Sequence, residues 1–230
     1  MAATPHPLDN VVWNALAGVH APLAEGGALA RRYRPEIARF VALAEPTSAA
    51  RDALAALVPA GEEAALIAPA DVVPGAAFEV LMRAELVQMV CAAPVGEPRD
   101  ASRFAPLGDA DIARMLALVE QTKPGPFQPR TIDFGGFLGH HVDGRLVAMG
   151  GRRMQLDGFT EVSGICTDPA FRGQGLARDL VLILSRRIVA EGRVPFLHAF
   201  ADNHAAIALY ERLGFVVRAR PMANRLRRRG

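Results

Sequence analysis

The sequence predicts a mixed α/β (α+β) fold in which helices pack on a mixed β-sheet. Along residues 101–230, strand-like and amphipathic helical runs follow in the order helix, hairpin, strand, helix, strand, helix, strand. Hydrophobic residues make up 51% of the 230 residues, which is enough for a substantial core. The first half of the sequence is rich in alanine and proline, and the helix and strand signals become clearer after about residue 100. We therefore expect an N-terminal α/β lobe over residues 1–100, of unknown role, and a second domain over residues 101–230.

The N-terminal half is rich in alanine and proline and contains no chemical motif. A helix is predicted to begin at Thr47-Ser48, because Leu54, Leu57 and Val58 then share one face. Two strand-like runs follow, punctuated by glycine and proline, over residues 64–67 and 78–90.

The second half gives clearer signals, and each predicted element has a local reason. An acidic start and helical spacing predict a helix over 109–120. Three prolines exclude regular structure from 122–130. Val142-Asp143-Gly144 predicts a hairpin turn between strands over 136–141 and 145–149. The remaining elements are predicted from apolar periodicity and from Gly214 as a helix stop: strand 159–167, helix 175–190, strand 194–200, helix 203–213 and a final strand from 215.

Composition limits the function classes. No run of 18 uncharged apolar residues occurs, so we expect no membrane span, and the first residues do not resemble a secretory signal. The two cysteines, Cys91 and Cys166, lie far apart, which fits a reducing cytoplasm. The last thirteen residues carry six arginines and no acid. We interpret this tail as a solvated, partly disordered terminus, with a polyanion partner as the alternative.

The turn between the strand ending at Thr167 and the helix opening near Gly175 predicts an anion site. Two glycines allow close approach to the unpaired amides at a helix N-terminus, and Arg172 adds a cation. A P-loop is excluded because the Lys-Ser/Thr pair is missing, and a dinucleotide fingerprint because the third glycine is missing. A glycine-rich helix start without a ligand is the alternative.

Two motifs in order make the sequence resemble the GCN5-related N-acetyltransferase (GNAT) superfamily. Arg172-Gly-Gln-Gly-Leu-Ala177 matches the Arg/Gln-x-x-Gly-x-Gly/Ala signature of that family. Asn203 to Phe215 matches its Asn-x-x-Ala-x-x-Leu-Tyr-Glu-x-x-Gly-Phe segment. The resemblance covers about residues 101–230. Pro124 to Thr131 and Phe159 to Ser163 resemble the FR47-like group, which is related to glycine N-acyltransferases.

The resemblance implies a splayed mixed sheet flanked by helices, with acetyl-CoA as co-substrate and no metal. The N-terminal lobe would then resemble the extra, degenerate half that some members carry. The pantetheine arm would lie between the fourth and fifth strands of the family fold, and the pyrophosphate on the turn. The implied cofactor contacts are Ile165, Cys166, Thr167, Arg172, Gly173, Gln174, Gly175, Leu176, Ala177 and Asn203.

The implied reaction is transfer of an acetyl group to a primary amine of a small molecule, an amino acid or a protein. Glu161 occupies the position of the general base of the family, although a structural carboxylate is the alternative. Tyr210 would protonate the departing thiolate, with a packing tyrosine as the alternative. A backbone N–H of Ile165 or Cys166 would meet the oxyanion.

The proline-rich loop supplies the predicted acceptor residues, Phe127 and Arg130, although Arg130 is as easily a local ion pair. His140 and His141 are adjacent on a strand, so they cannot share a metal. His198 and His204 could reach the active site, but nothing in the sequence singles them out. A monomer or homodimer is expected. The alternatives in other classes are a non-catalytic acyl-CoA-binding sensor and, with less support, a nucleic-acid-associated protein using the arginine tail.

Overall fold

A twelve-stranded sheet runs through residues 5–230, the part of the chain that the computed structural model describes. The strands are β1 (Ala24–Gly26), β2 (Ala30–Tyr33), β3 (Phe40–Leu43), β4 (Glu63–Ala68), β5 (Phe78–Val90), β6 (Ala105–Pro106), β7 (Leu138–Val142), β8 (Arg145–Leu156), β9 (Phe159–Thr167), β10 (Val194–Phe200), β11 (Val216–Ala219) and β12 (Met222–Arg228). Their spatial order is β1-β2-β3-β4-β12-β5-β10-β9-β8-β7-β6, and β11 pairs with β5. Neighbours are antiparallel except for the pairs β3–β4 and β9–β10.

In the described part of the chain, five α-helices pack on this sheet, and apolar spacing selects the face that each of them buries. They are α1 (Val11–Ala17), α2 (Ser48–Leu57), α3 (Ile112–Thr122), α4 (Leu176–Ala190) and α5 (His204–Arg212). Helix α4 lies against β8, β9 and β10 through residues such as Leu180 and Leu184. Helix α3 contacts β8 and β9, where Met115 and Leu118 are buried together with Cys166. Helix α2 packs on β2 and β3, and Leu54 is buried there.

The mixed sheet with flanking helices confirms the predicted fold class, and the elements of the second half lie where the sequence predicts them. The hairpin turn has positive φ at Asp143 (49°) and at Gly144 (76°), as a two-residue primed turn requires. Strand β8 extends to Leu156, well beyond the predicted strand end at residue 149. The side chain of Thr47 accepts from the N–H of Ala50 and so caps α2 at the predicted start.

The arginine-rich C-terminus is not a solvated tail, and that prediction is wrong. These residues form β12, which lies between β4 and β5. Asn224 and Leu226 are buried, whereas Arg225 and Arg227 are exposed, so the segment alternates as a half-buried strand does. Arg227 lies beside Glu63 and Glu79 of the neighbouring strands. The alternation of buried and exposed residues in β12 is short, and the many arginines in this segment make it hard to recognise in the sequence.

Strand β5 connects the two parts of the sheet. Its first residues pair with β12, and its last residues, from Leu86 to Val90, pair with β10. Strands from both sides of residue 100 are therefore direct neighbours in the sheet. The division into residues 1–100 and 101–230 stays a prediction. Within residues 5–230, no helix combines the length and apolarity needed to cross a bilayer.

His20 gives the N-terminal half a predicted pH dependence. It is buried, its Nδ1 lies 2.8 Å from the hydroxyl of Tyr33, and its ring stacks on Phe134. Burial lowers the pKa of His20 to about 4. Between this value and the ordinary histidine value near 6.5, the unfolded chain binds a proton that the folded chain does not. We expect the free energy of unfolding to fall by roughly 3 kcal/mol as pH decreases from 6.5 to 4.

The measurement is urea unfolding at several pH values for the wild type and for His20→Gln. The variant should lose most of the slope over this window, whatever its stability at pH 7. His204→Gln is the control, since that histidine is exposed on α5. Parallel curves for wild type and His20→Gln would contradict the assignment.

Candidate active site

Strands β9 and β10 part from one another, and the gap opens into a large cavity. Their parallel pairing lasts for three residue pairs only, from Phe159 opposite Val194 to Glu161 opposite Phe196. The cavity has a volume of about 830 Å³. Ile165, Cys166 and Thr167 of β9 line one side of it, and residues 198–200 of β10 line the other. This is the splay that the sequence resemblance implies.

A β-bulge shapes the β9 side of the gap. Opposite β8, Cys166 pairs with Met149 and Ser163 pairs with Gly151, so β9 contains one extra residue between these pairs. Gly164 lies in the bulge with φ of 65°, a backbone conformation that favours glycine. Because a bulge leaves backbone groups unpaired in the ladder, it provides free backbone polar groups beside the cavity. This is the stretch that the sequence predicts as the oxyanion contact.

The predicted anion site has the geometry of an open helix N-terminus. Gly173 and Gly175 both have φ of 80°, and α4 begins at the next residue, Leu176. The predicted turn residues line the cavity, with the exception of Gln174. The guanidinium of Arg172 makes no hydrogen bond within residues 5–230 that would occupy it. The amides of the first turn and this cation can together meet a pyrophosphate.

Arg99 joins this end of the cavity, although the sequence gives no sign of it. Its Nη1 donates to the backbone oxygen of Gln174 at 3.5 Å, and its backbone N–H donates to buried Asp179 at 3.2 Å. Arg178 also lines the cavity and pairs with Asp179 at 2.8 Å. Three arginines therefore surround the turn, which suits a ligand with several phosphate charges.

Gly175→Ala is expected to weaken the anion site. A methyl group there would lie 2.9 Å from Nη1 of Arg99, and a non-glycine residue at this φ costs about 1–2 kcal/mol. We expect a loss of stability of that size together with a clear loss of acetyl-CoA affinity, measured by thermal unfolding and by calorimetric titration. Gly192→Ala is the matched control: its φ is 75° and its added methyl meets no atom within 4 Å. An equal loss of affinity in both variants would contradict the assignment.

Glu161, the predicted base, is fully buried at the point where β9 and β10 part. Its Oε2 accepts from Nε of Arg153 at 2.7 Å and from the N–H of Met154 at 3.3 Å. Its Oε1 accepts from Nη2 of Arg153 at 2.6 Å and lies 2.7 Å from Nδ1 of His198. Burial raises the pKa of Glu161, but the charge and hydrogen bonds of Arg153 and the contact with His198 outweigh it and hold the pKa well below its usual range. Both oxygens are occupied, and the side chain does not line the cavity.

His198 lines the cavity beside Glu161, and Gln88 determines its tautomer. The side-chain oxygen of Gln88 accepts from Arg218 at 2.5 Å, so its Nε2 is the atom that faces His198. This Nε2 lies 3.1 Å from Nε2 of His198 and donates to the backbone oxygen of Leu8 at 3.0 Å. His198 then carries its proton on Nδ1, donates it to Glu161, and has its lone pair on Nε2.

Tyr210 stands on the α5 side of the cavity. Its hydroxyl makes no hydrogen bond within the described part of the chain. Burial raises the pKa of Tyr210 to about 12, so the phenol stays protonated at neutral pH. Asn203 is the N-cap residue of α5, and its Oδ1 accepts a hydrogen bond from the N–H of Ala206 at 3.2 Å. Asn203 also lines the cavity.

The predicted acceptor residues lie apart from one another. Phe127 lines a small neighbouring cavity and packs edge-on against Phe137. Arg130 lines neither cavity; it pairs with Asp133 and with Asp109, the latter at 3.0 Å. These contacts match the local ion pair weighed as the alternative, and the predicted grip of Arg130 on an acceptor stays untested.

Cys91 and Cys166 are both buried free thiols. Burial raises the pKa of Cys166 to about 11, so this residue is a thiol rather than a nucleophilic thiolate. Among residues 5–230, no three His, Cys, Asp or Glu side chains converge in a way that could hold a metal ion.

The cavity contains several residues that the sequence did not identify. They come from distant segments: Phe40, Leu66 and Met82 from the N-terminal half, Arg153 from β8, and Arg225 from β12. The first 100 residues therefore supply part of the cavity wall. No local motif marks these residues, because their only shared property is the surface that the sheet brings together.

Known proteins resemble this chain in sequence and in fold. The family model described as FR47-like protein matches residues 138–224. A GNAT-family protein from Novosphingobium aromaticivorans has a solved structure with 38% identity; the match covers 98% of this chain and 100% of that one, with a TM-score of 0.91. A GCN5-related N-acetyltransferase from Kribbella flavida, at 18% identity, shares the fold with a TM-score of 0.62 over 96% of this chain and 95% of that one.

Curated relatives match over shorter stretches. The mycothiol acetyltransferase of Mycolicibacterium gilvum is 34% identical over 113 residues, which cover 46% of this chain and 34% of that protein. The mycothiol acetyltransferase of Streptomyces avermitilis is 35% identical over 85 residues, 36% of this chain and 28% of that protein. The chain thus spans about a third of the length of these relatives. The family match and the near-complete structural match lead to one conclusion: the chain belongs to the GCN5-related N-acetyltransferase superfamily.

Proposed function

We propose that this protein is an acetyl-CoA-dependent N-acetyltransferase that moves an acetyl group to a primary amine. The observation that carries the proposal is the single cavity joining the turn at 172–177, the gap between β9 and β10, His198 and Tyr210. A single bound ligand could then contact both the proposed phosphate-binding turn and the proposed proton-transfer residues, His198 and Tyr210. Membership of an acetyltransferase superfamily supports the same reaction.

The cofactor would extend from the turn into the gap. Its pyrophosphate would lie on the amides of residues 172–177, near Arg99 and Arg172. Its pantetheine arm would add to the edge of β9 at Ile165, Cys166 and Thr167, as an extended peptide adds to a sheet edge. Asn203 would contact it from the α5 side. The bulge at Gly164 supports an oxyanion contact by the N–H of Ile165 or Cys166.

Glu161 would work through His198 when the acceptor ammonium is deprotonated. His198 lines the cavity, whereas Glu161 is buried behind it with both oxygens bonded. The amine proton would pass to Nε2 of His198 as the hydrogen bond from Gln88 is released. Glu161 would orient the imidazole and stabilise the resulting imidazolium.

The amine nitrogen would then attack the thioester carbonyl carbon. A C–N bond forms and the C–S bond breaks, the departing thiolate takes the phenolic proton of Tyr210, and the proton that the nitrogen then loses restores the phenol. The free hydroxyl of Tyr210 supports this role, since no competing hydrogen bond has to be broken.

Acetyl-CoA is expected to raise the melting temperature by several degrees at concentrations well above its dissociation constant. Differential scanning fluorimetry measures this shift, and free adenosine serves as a ligand control because it has neither the pyrophosphate nor the pantetheine arm. The absence of a shift would contradict both the proposed enzyme and the second candidate, a non-catalytic acyl-CoA sensor. Steady release of CoA thiol in the presence of an amine separates the enzyme from the sensor.

A further inference from the structure

The cavity wall has an uneven charge pattern that the cofactor does not explain. Among residues 5–230, no aspartate or glutamate lines it, whereas six cationic side chains do: Arg99, Lys123, Arg153, Arg172, Arg178 and Arg225. Three of these surround the phosphate-binding turn, and Lys123 is largely exposed beside Glu120. Arg153 and Arg225 remain, away from the turn, on β8 and β12. Glu161 balances the charge of Arg153, whereas Arg225 has no acidic partner within residues 5–230, so this end of the cavity keeps a net positive charge that an anionic ligand can meet.

Arg153 is held rigidly with one nitrogen unused. Its Nε and Nη2 bind Glu161 in a fork, and the guanidinium lies over the ring of Phe40, 4.9 Å from the centroid. Its side chain is 13% exposed. Nη1 makes no hydrogen bond within residues 5–230. A guanidinium fixed on two sides can therefore present its third nitrogen to a ligand carboxylate at little entropic cost.

Arg225, on β12, adds positive charge to the cavity wall. Its guanidinium makes no ion pair or hydrogen bond in the described part of the chain, although Arg227, two residues along β12, pairs with Glu63 at 3.0 Å. Arg225 lines the cavity and Arg227 does not. The rest of this wall is apolar and comes largely from the N-terminal half, with Phe40, Leu66 and Met82.

From these features we infer that the acceptor is a free α-amino acid with an apolar side chain, which rests on the proposed acetyl transfer. Arg153 and His198 contact the same oxygen of Glu161, so the guanidinium and the imidazole lie side by side. In an α-amino acid, the amine and the carboxylate are attached to one carbon. A carboxylate on Nη1 of Arg153 therefore brings the amine beside His198, and the apolar side chain faces the Phe40 wall. The product is the N-acetyl amino acid.

The experiment compares L-leucine with L-leucinamide and 3-methylbutylamine, which keep the apolar group and the amine but replace or delete the carboxylate. CoA release is followed at fixed acetyl-CoA, and acetyl-CoA binding is measured separately by thermal shift. We expect kcat/KM for leucine to exceed that for both analogues by about 100-fold or more, because only leucine has a carboxylate that can make a charge-assisted hydrogen bond to Nη1 of Arg153. Glycine should be a poorer acceptor than leucine because it lacks the apolar group.

Two variants locate the effect. Arg225→Met should lower the preference for leucine over leucinamide at least several-fold, whereas Arg227→Met, on the same strand but outside the cavity, should leave it unchanged. Turnover of leucinamide or 3-methylbutylamine as fast as that of leucine would overturn the inference while leaving the proposed acetyl transfer in place. If acetyl-CoA binds and no amine of any class is turned over, the proposed function fails and the inference fails with it.

Discussion

Glu161→Gln is expected to lower the free energy of unfolding by about 3–5 kcal/mol, because it leaves the buried guanidinium of Arg153 without its counter-charge. Glu161 is 0% exposed and receives four hydrogen bonds, two of them from Arg153. The same change removes the negative charge that would stabilise the imidazolium of His198, so we expect turnover to fall by about 100-fold or more. Urea unfolding and CoA release measure the two effects.

A double variant separates charge from packing. Glu161→Leu with Arg153→Met removes both charges and should regain much of the lost stability, because apolar replacement of a buried ion pair is often neutral or stabilising. It should not regain activity. A wild-type unfolding midpoint for Glu161→Gln alone would contradict the account of this pair.

The carboxylate of Glu161 also makes the free energy of unfolding depend on pH in the acid range. The pKa of Glu161 is depressed in the folded chain, so its contribution is complete above the ordinary glutamate value near 4.3 and is lost as pH falls below it. This window lies below the one assigned to His20, so acid unfolding of the two single variants distinguishes the two groups.

Tyr210→Phe is expected to lower kcat by about 100-fold or more without changing acetyl-CoA affinity, because it removes only the phenolic proton donor. The ring keeps its packing against Phe215, and within residues 5–230 the hydroxyl has no partner to lose. Stability should therefore stay within about 0.5 kcal/mol of the wild type. Steady-state kinetics and thermal unfolding measure both quantities.

A second acceptor provides the control for Tyr210. If the phenol protonates the leaving thiolate, the loss in kcat should be similar for acceptor amines of different basicity. A loss confined to one amine would instead indicate that Tyr210 contacts the acceptor, and unchanged turnover would contradict the assignment.

Much of the fold was predictable where periodicity and capping are strong. Strands β9 and β10 have the bounds that the sequence predicts, and α4 begins beside Gly175 as expected. The first three strands were missed because they are three or four residues long, too short for alternation to be distinguished from chance. β12 was misread because arginines on its exposed face resemble a solvated tail.

The cofactor end of the site was predictable because its residues form contiguous motifs. The acceptor end was not, because Arg153, His198 and Arg225 come from three separate strands and meet only through the sheet order. The contacts of Glu161 could not be predicted from the sequence either. Its partner Arg153 lies eight residues away across the β8–β9 turn, and no pattern marks that pair in advance.

The central claim, acetyl transfer from acetyl-CoA to a primary amine in this cavity, is tested most directly by product analysis. The protein is incubated with acetyl-CoA and a panel of amino acids and neutral amines, and both CoA and the acetylated amine are quantified by mass spectrometry. The account predicts equal amounts of CoA and N-acetylated amine over many turnovers, with leucine-like amino acids foremost and with turnover strongly reduced in Tyr210→Phe. Binding of acetyl-CoA without an acetylated product from any amine would contradict it.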